Sequence, residues 1–278
     1  MSDHDRGLTR VQRVFDALLD HGEDGPAWMG GLWEMAALTR PGAALPPPPE
    51  FGKLLASETP SGDARQGTVY QRTVAPPAVF LRWLLDNPQL MEVGDPINFG
   101  AKSADARRWR GKLFSGDERL ASEARDEGLR QLGKRLAQRG RRKWWAFEGF
   151  SRVDCCLVTE TCVLFVEDRP AEPMSSSTLW FPQRSRLWRN VEAAQEFAGD
   201  RQFGVILAVD QEADGVAALA NAANTLAASC PHLEGELRAA LSSHLLGFVT
   251  WPDVVSRFDL PPECLVEHVA TKRPAPAP

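Results

Sequence analysis

Apolar positions recur at helical spacing near both ends of the chain and become unbroken runs in its middle. Residues 8–21 place Val11, Val14, Phe15, Leu18 and Leu19 on one stripe, which predicts an amphipathic helix. A second helix is predicted from Ala27 to Leu38, ahead of Arg40-Pro41. Residues 41–49 end in four prolines and read as an extended connector, because proline offers no backbone donor to a helix or sheet. Residues 57–77 are polar and rich in Pro and Gly, and read as a loop. A short helix is expected over 78–90, with Val79, Phe80, Trp83 and Leu84 apolar, followed by irregular chain over 95–103.

From residue 117 the order of elements is more regular. A helix over 117–138 carries Leu120, Ala124, Leu132 and Leu136, and Gly140 follows it. Residues 144–150 read as a strand. Two short apolar runs follow, 152–158 and 162–167, separated by Glu160 and Thr161. After a loop over 170–182 comes a helix over 183–197 with Leu187, Val191, Ala194 and Phe197 apolar, then an apolar strand over 203–209. Helices are expected over 213–228 and 233–245, a short strand over 247–251, and a helix start at Trp251-Pro252-Asp253. The tail over 271–278 alternates Pro and Ala and is expected to be disordered. The class is α/β, with the order αβββαβ over the middle of the chain. A mainly helical region over 1–104 precedes an α/β domain over 105–270.

The two apolar runs define a hairpin. Both are rich in Val, Leu, Cys and Phe, the mark of strands buried on both faces. With a two-residue turn at Glu160-Thr161, positions whose numbers sum to 321 lie opposite one another, and Asp154 faces Glu167 at ~5 Å between Cβ atoms. Arg169 falls on the same face as Glu167. Two close carboxylates repel and are costly to bury, so their convergence with a cation at one end of a buried sheet points to a divalent metal between them.

Charge sharpens this picture. The net charge of −5 argues against nucleic-acid binding by the surface as a whole. Yet residues 105–190 hold 18 Lys and Arg against 12 Asp and Glu, leaving 14 against 25 elsewhere. Seven of the basic residues fall between Arg130 and Lys143, including Arg141 and Arg142. A basic zone attracts a phosphate backbone, and nearby acids hold a metal that acts on it. Gln183, Arg184 and Arg189 lie at the start of the helix after the hairpin and along it, where a phosphate or the acids are within reach. Trp144, Trp145, Trp180 and Trp188 are either core or base-stacking residues.

Other chemistries lack a carrier. The chain has no G-x-S-x-G, Walker loop, G-x-G-x-x-G or H-E-x-x-H, and its five histidines all lie outside the hairpin region. Five cysteines without a C-x-x-C read as reduced core thiols, which with the polar N-terminus predicts a cytoplasmic protein. No apolar run approaches the ~18 residues of a membrane span.

Asp154, then Glu167-Asp168-Arg169 after twelve intervening residues, resembles the Asp, Glu-x-Lys signature of the PD-(D/E)XK nuclease-like superfamily. The resemblance covers roughly residues 117–210. It implies a restriction-endonuclease-like core with Asp154, Glu167 and Arg169 as catalytic residues and Mg²⁺ or Mn²⁺ as cofactor. It also implies that the Asp168 backbone carbonyl joins the ligands, with a further acid from the preceding helix (Glu123 or Glu127) or from Glu148. Arg169 stands where lysine is usual. A guanidinium stays protonated, so it stabilises charge and does not act as a base. The implied activity is phosphodiester hydrolysis in nucleic acid, DNA before RNA. The alternative is an inactive nuclease-fold protein that binds nucleic acid or serves in assembly.

Overall fold

The computed structural model describes residues 10–21, 27–55, 68–133, 143–168 and 179–265. Its centre is a five-stranded mixed sheet in the order β1 (Thr68–Val74), β2 (Ser151–Val158), β3 (Cys162–Asp168), β4 (Gln202–Val209), β5 (Leu245–Thr250). The first three strands are mutually antiparallel; β3, β4 and β5 are parallel. Parallel neighbours need a crossover. Here α6 (Arg186–Ala198) joins β3 to β4, and α7 (Glu212–Ser229) with α8 (Gly235–Ser243) joins β4 to β5.

Each face of the sheet buries a different set of side chains. On one, Cys155, Leu157, Leu164, Val166, Ile206 and Leu246 meet α1 (Arg10–His21), α2 (Ala27–Leu38) and α9 (Trp251–Arg257). On the other, Cys156, Val158, Val163, Phe165, Val205 and Leu207 meet α6 and α7. Alternation along a doubly covered strand produces the continuous apolar reading. The predicted stripe of α1 is the buried one: Val11, Val14, Phe15 and Leu18 all enter the core. Helix α2 approaches β5 so closely that a Cβ on Gly247, whose φ is +144°, would lie 2.1 Å from the Ala36 carbonyl oxygen. All five cysteines are unpaired and buried, and burial pushes the Cys156 thiol up to about 12.

A third cluster lies beside the sheet. It joins α3 (Ala78–Asp86), α4 (Ala104–Leu113) and α5 (Glu118–Leu132) to the segment 143–150 and to Trp180 and Phe181. Ser103 and Asp117 cap α4 and α5, each accepting from backbone N–H groups of the first turn.

Two expectations are corrected here. Residues 144–150 form no strand. Trp144, Trp145 and Phe147 are all buried in the third cluster, where Phe147 and Trp180 lie 4.8 Å apart between ring centroids. Three side chains sent to one core within four residues cannot alternate as a strand does. The outer strand comes from the stretch expected to be a loop, as β1 pairs Val69 with Cys156 and Arg72 with Val153. Among the described residues the chain therefore supplies two strands, not three, between α5 and α6. Helix α4 was also not anticipated. The expected tail over 271–278 lies outside the described residues.

Candidate active site

The hairpin register is the expected one. Cys155 pairs with Val166 and Cys156 with Phe165, and the Thr159 N–H donates to the Cys162 carbonyl across Glu160-Thr161. One step further, Asp154 and Glu167 leave the sheet on the face covered by α6. Glu167 is buried, whereas the Asp154 side chain keeps 27% of its exposure. The Asp168 N–H donates to Asp154 Oδ2 at 2.9 Å.

Helix α6 supplies what meets the acids. Arg186 Nη2 donates to Asp154 Oδ2 at 3.4 Å and to Glu167 Oε2 at 3.2 Å, so one cation spans the pair. Asn190, one turn on and on the same side of the helix, donates from Nδ2 to Glu167 Oε1 at 2.7 Å. Asn190 is held in turn by the Ser151 hydroxyl, which donates to its Oδ1 and accepts from Arg189 Nη2 at 2.8 Å. Burial and the neighbouring Asp154 carboxylate raise Glu167 to about 8, against the opposing pull of Arg186, Asn190 and Arg189.

Behind this pair runs a buried ion network. Arg184 Nε donates to Glu148 Oε1 at 3.1 Å, and Arg184 Nη1 meets Glu192 and the Ser229 carbonyl. The other oxygen of Glu192 lies 2.6 Å from His232 Nε2. Burial raises the Glu148 carboxyl above its ordinary range, in spite of Arg184 and Arg189. The Arg184 guanidinium sits 3.9 Å from the Phe80 ring centroid, which closes the network from outside.

The sequence-derived site residues therefore separate. Asp154 and Glu167 come together. Asp168 points its carboxylate to the other face, where Oδ1 accepts from Arg10 Nη2 at 3.2 Å and Trp251 Nε1 at 3.0 Å. Arg169, Arg141 and Arg142 lie outside the described residues, and Lys143 is exposed. Gln183 is exposed and donates to Glu92 Oε1 at 2.5 Å. Arg184 and Arg189, expected to face nucleic acid, are buried and committed to interior acids and Ser151, which removes them from surface contact. Glu148 was placed on a strand; it sits in irregular chain as the partner of Arg184. Glu123 pairs with Lys112, and Glu127 with Arg130 and Gln131, on a helix packed against α3 and α4. Arg186 and Asn190 were missed. Their four-residue spacing and their position just after the acidic strand are the signals that mark them.

Among the described residues no group of three or more His, Cys, Asp and Glu side chains is placed to hold a metal ion. The pair nevertheless suits a hard divalent cation. Its donors are all oxygen, and burial, together with the facing Asp154 carboxylate, raises Glu167 to about 8 even with Arg186 beside it. Comparison with protein-family models, curated proteins and solved structures returns no match to this chain.

Proposed function

We propose that this protein is a metal-dependent nuclease with a PD-(D/E)XK nuclease-like core. The observation that carries the reading is the meeting of Asp154 and Glu167 on adjacent central strands beneath one guanidinium. The arrangement around them supports it: an antiparallel β1-β2-β3 unit, a helix, and a strand β4 parallel to β3. Asp154 and Glu167 would hold Mg²⁺ or Mn²⁺, and such an ion when bound activates water and neutralises charge on a phosphodiester.

The chain's own residues have separate tasks. Asn190 fixes one oxygen of Glu167, and Ser151 and Arg189 fix Asn190. Arg186 remains protonated, so it offers charge and donors to a scissile phosphate and takes no proton. Arg169 adds a second cation in sequence next to Asp168. The basic stretch ending at Lys143 draws the nucleic acid backbone to the protein, with DNA the first candidate and RNA the second.

A second reading has one observation in its favour. Arg186 already contacts both carboxylates, as expected of a nuclease fold that binds nucleic acid or serves in assembly without cleaving. The two readings separate on metal. For a nuclease, Mg²⁺ or Mn²⁺ raises the melting temperature, Asp154→Asn abolishes the rise, and the wild type cleaves plasmid or single-stranded DNA. Arg186→Ala then lowers cleavage by ~10²-fold while the metal-induced rise persists. A metal response identical in Asp154→Asn and wild type overturns the site assignment. Salt-sensitive DNA binding without metal response or cleavage selects the second reading.

A further inference from the structure

A cavity of about 440 Å³ opens at the carboxyl ends of β3 and β4, the end at which ligands enter parallel sheets. Its volume lies in the range of small-molecule sites. Its apolar wall is formed by Leu187 of α6, Val209 of β4, and Ala217, Ala218 and Ala222 of α7. Asp214, Ala217, Ala218, Asn221 and Ala222 follow helical spacing, so a single stripe of α7 faces the cavity. Small side chains along that stripe create the space. Its polar groups include Asp168, Asp210, Asp214, Asn221 and Arg10.

Two features restrict the ligand. Three carboxylates against one guanidinium give a rim that repels phosphate and accepts hydrogen bonds from amino groups. Arg10 is 9% exposed, and its Nε has no partner among the described residues, although its Nη atoms hold Asp168 and Asp210. A flat heterocycle bearing an amino group matches an apolar wall with acids and an amide around it. The cavity also adjoins the acid pair. Asp168 follows Glu167, and Ser185 and Leu187 flank Arg186, so three residues next in sequence to the acid–arginine contact line the cavity.

We propose that this cavity takes one unpaired nucleobase bearing an exocyclic amino group (cytosine, adenine or guanine) from a strand whose phosphate lies at Arg186. The reading of the strand as substrate rests on the proposed nuclease function; the binding of the base does not. Asp214 and Asn221 read the base edge, and the Leu187–Ala218 wall takes its flat face. A base outside a duplex is required, because in a duplex the partner base occupies the edge that Asp214 and Asn221 would read.

The test uses the full chain without metal, with cytidine, adenosine, guanosine, uridine and ribose 5-phosphate as probes, by calorimetry or ligand-observed NMR. Amino-bearing nucleosides should bind in the low-millimolar range or tighter, with uridine ~10-fold weaker and ribose 5-phosphate not detected. Ala218→Phe, which fills the cavity, should abolish binding. Asp214→Asn should reduce the preference over uridine. A short single-stranded oligonucleotide should bind more tightly than its nucleoside, with Ala218→Phe removing that gain. Equal binding of uridine and cytidine, unchanged binding in a folded Ala218→Phe, or no nucleoside binding at ~10 mM overturns the proposal. Nucleoside binding that persists in a protein without metal response or cleavage overturns the nuclease reading and leaves the base site standing.

Discussion

The burial of Glu167 makes a quantitative prediction for Glu167→Gln. Its carboxyl is raised to about 8 from an ordinary value of 4.5. A raised acid favours the folded state while it stays protonated. That contribution is complete below the unfolded value and is lost as pH rises towards the folded one. Each pKa unit corresponds to ~1.4 kcal/mol, so in metal-free wild type the loss is ~3 kcal/mol at pH 7 and ~5 kcal/mol above pH 8. Glutamine has nearly the same shape and does not ionise. It keeps the oxygen to which Asn190 donates but turns an NH₂ group towards Arg186, at a cost of ~1 kcal/mol. The variant should match wild type at pH 5, exceed it by ~2 kcal/mol at pH 7, and exceed it by ~4 kcal/mol at pH 8.5. The assay is urea unfolding at the three pH values with a chelator present, or thermal melts, where the difference at pH 7 is on the order of 5 °C. A stability difference that does not change with pH refutes the account of Glu167.

Other expectations concern the frame around the site. Arg184→Met should destabilise the protein by ~3–5 kcal/mol in denaturant unfolding, because Glu148 and Glu192 are left buried without their main cation. A loss below ~1 kcal/mol would show that the network is hydrated. Gly215→Ala tests packing against propensity. Alanine favours a helix by ~1 kcal/mol, but its Cβ would lie 2.4 Å from the Phe248 ring, so a net loss of ~1–3 kcal/mol is expected. Phe248→Leu in the same chain should remove most of the penalty specific to Gly215→Ala, measured as a double-mutant cycle.

The hairpin was legible because three independent constraints agree on it. Two apolar runs, a two-residue turn and a fixed alternation leave one register, and that register places Asp154 against Glu167. The outer strand was not legible. Thr68–Val74 is an edge strand with polar residues at Thr68, Gln71, Arg72 and Thr73, and Arg72 lies over the Phe197 ring at 4.3 Å. Such a strand shows neither a continuous apolar run nor a clean alternation. The aromatic run at 144–150 resembled a strand because hydrophobicity reports burial, not partner: its residues enter a helical cluster instead of the sheet. Helix α4 has a strongly polar sequence and buries Arg110, whose Nε donates to the Trp144 carbonyl at 3.0 Å. At the site, the two acids were found from spacing alone. The cation that touches them comes from α6, because helix packing over a sheet brings Arg186 above strands distant from it in sequence.

The origin of β1 bears on how the chain folds. The β2–β3 hairpin is closed by a two-residue turn, so its contacts form with little loss of chain entropy. The β1–β2 ladder joins Val69 to Cys156 across three helices and the whole third cluster. Such a long closure is entropically expensive and is made only once both ends are organised. The sheet therefore grows from its middle, and β1 docks last. In native-state hydrogen exchange its amides should open in sub-global events, at lower free energy than those of β3 and β4, which are hydrogen-bonded on both sides. Strand β2 would then be uncovered along one edge in every such opening, which makes the backbone beside Asp154 the first part of the central sheet to meet water.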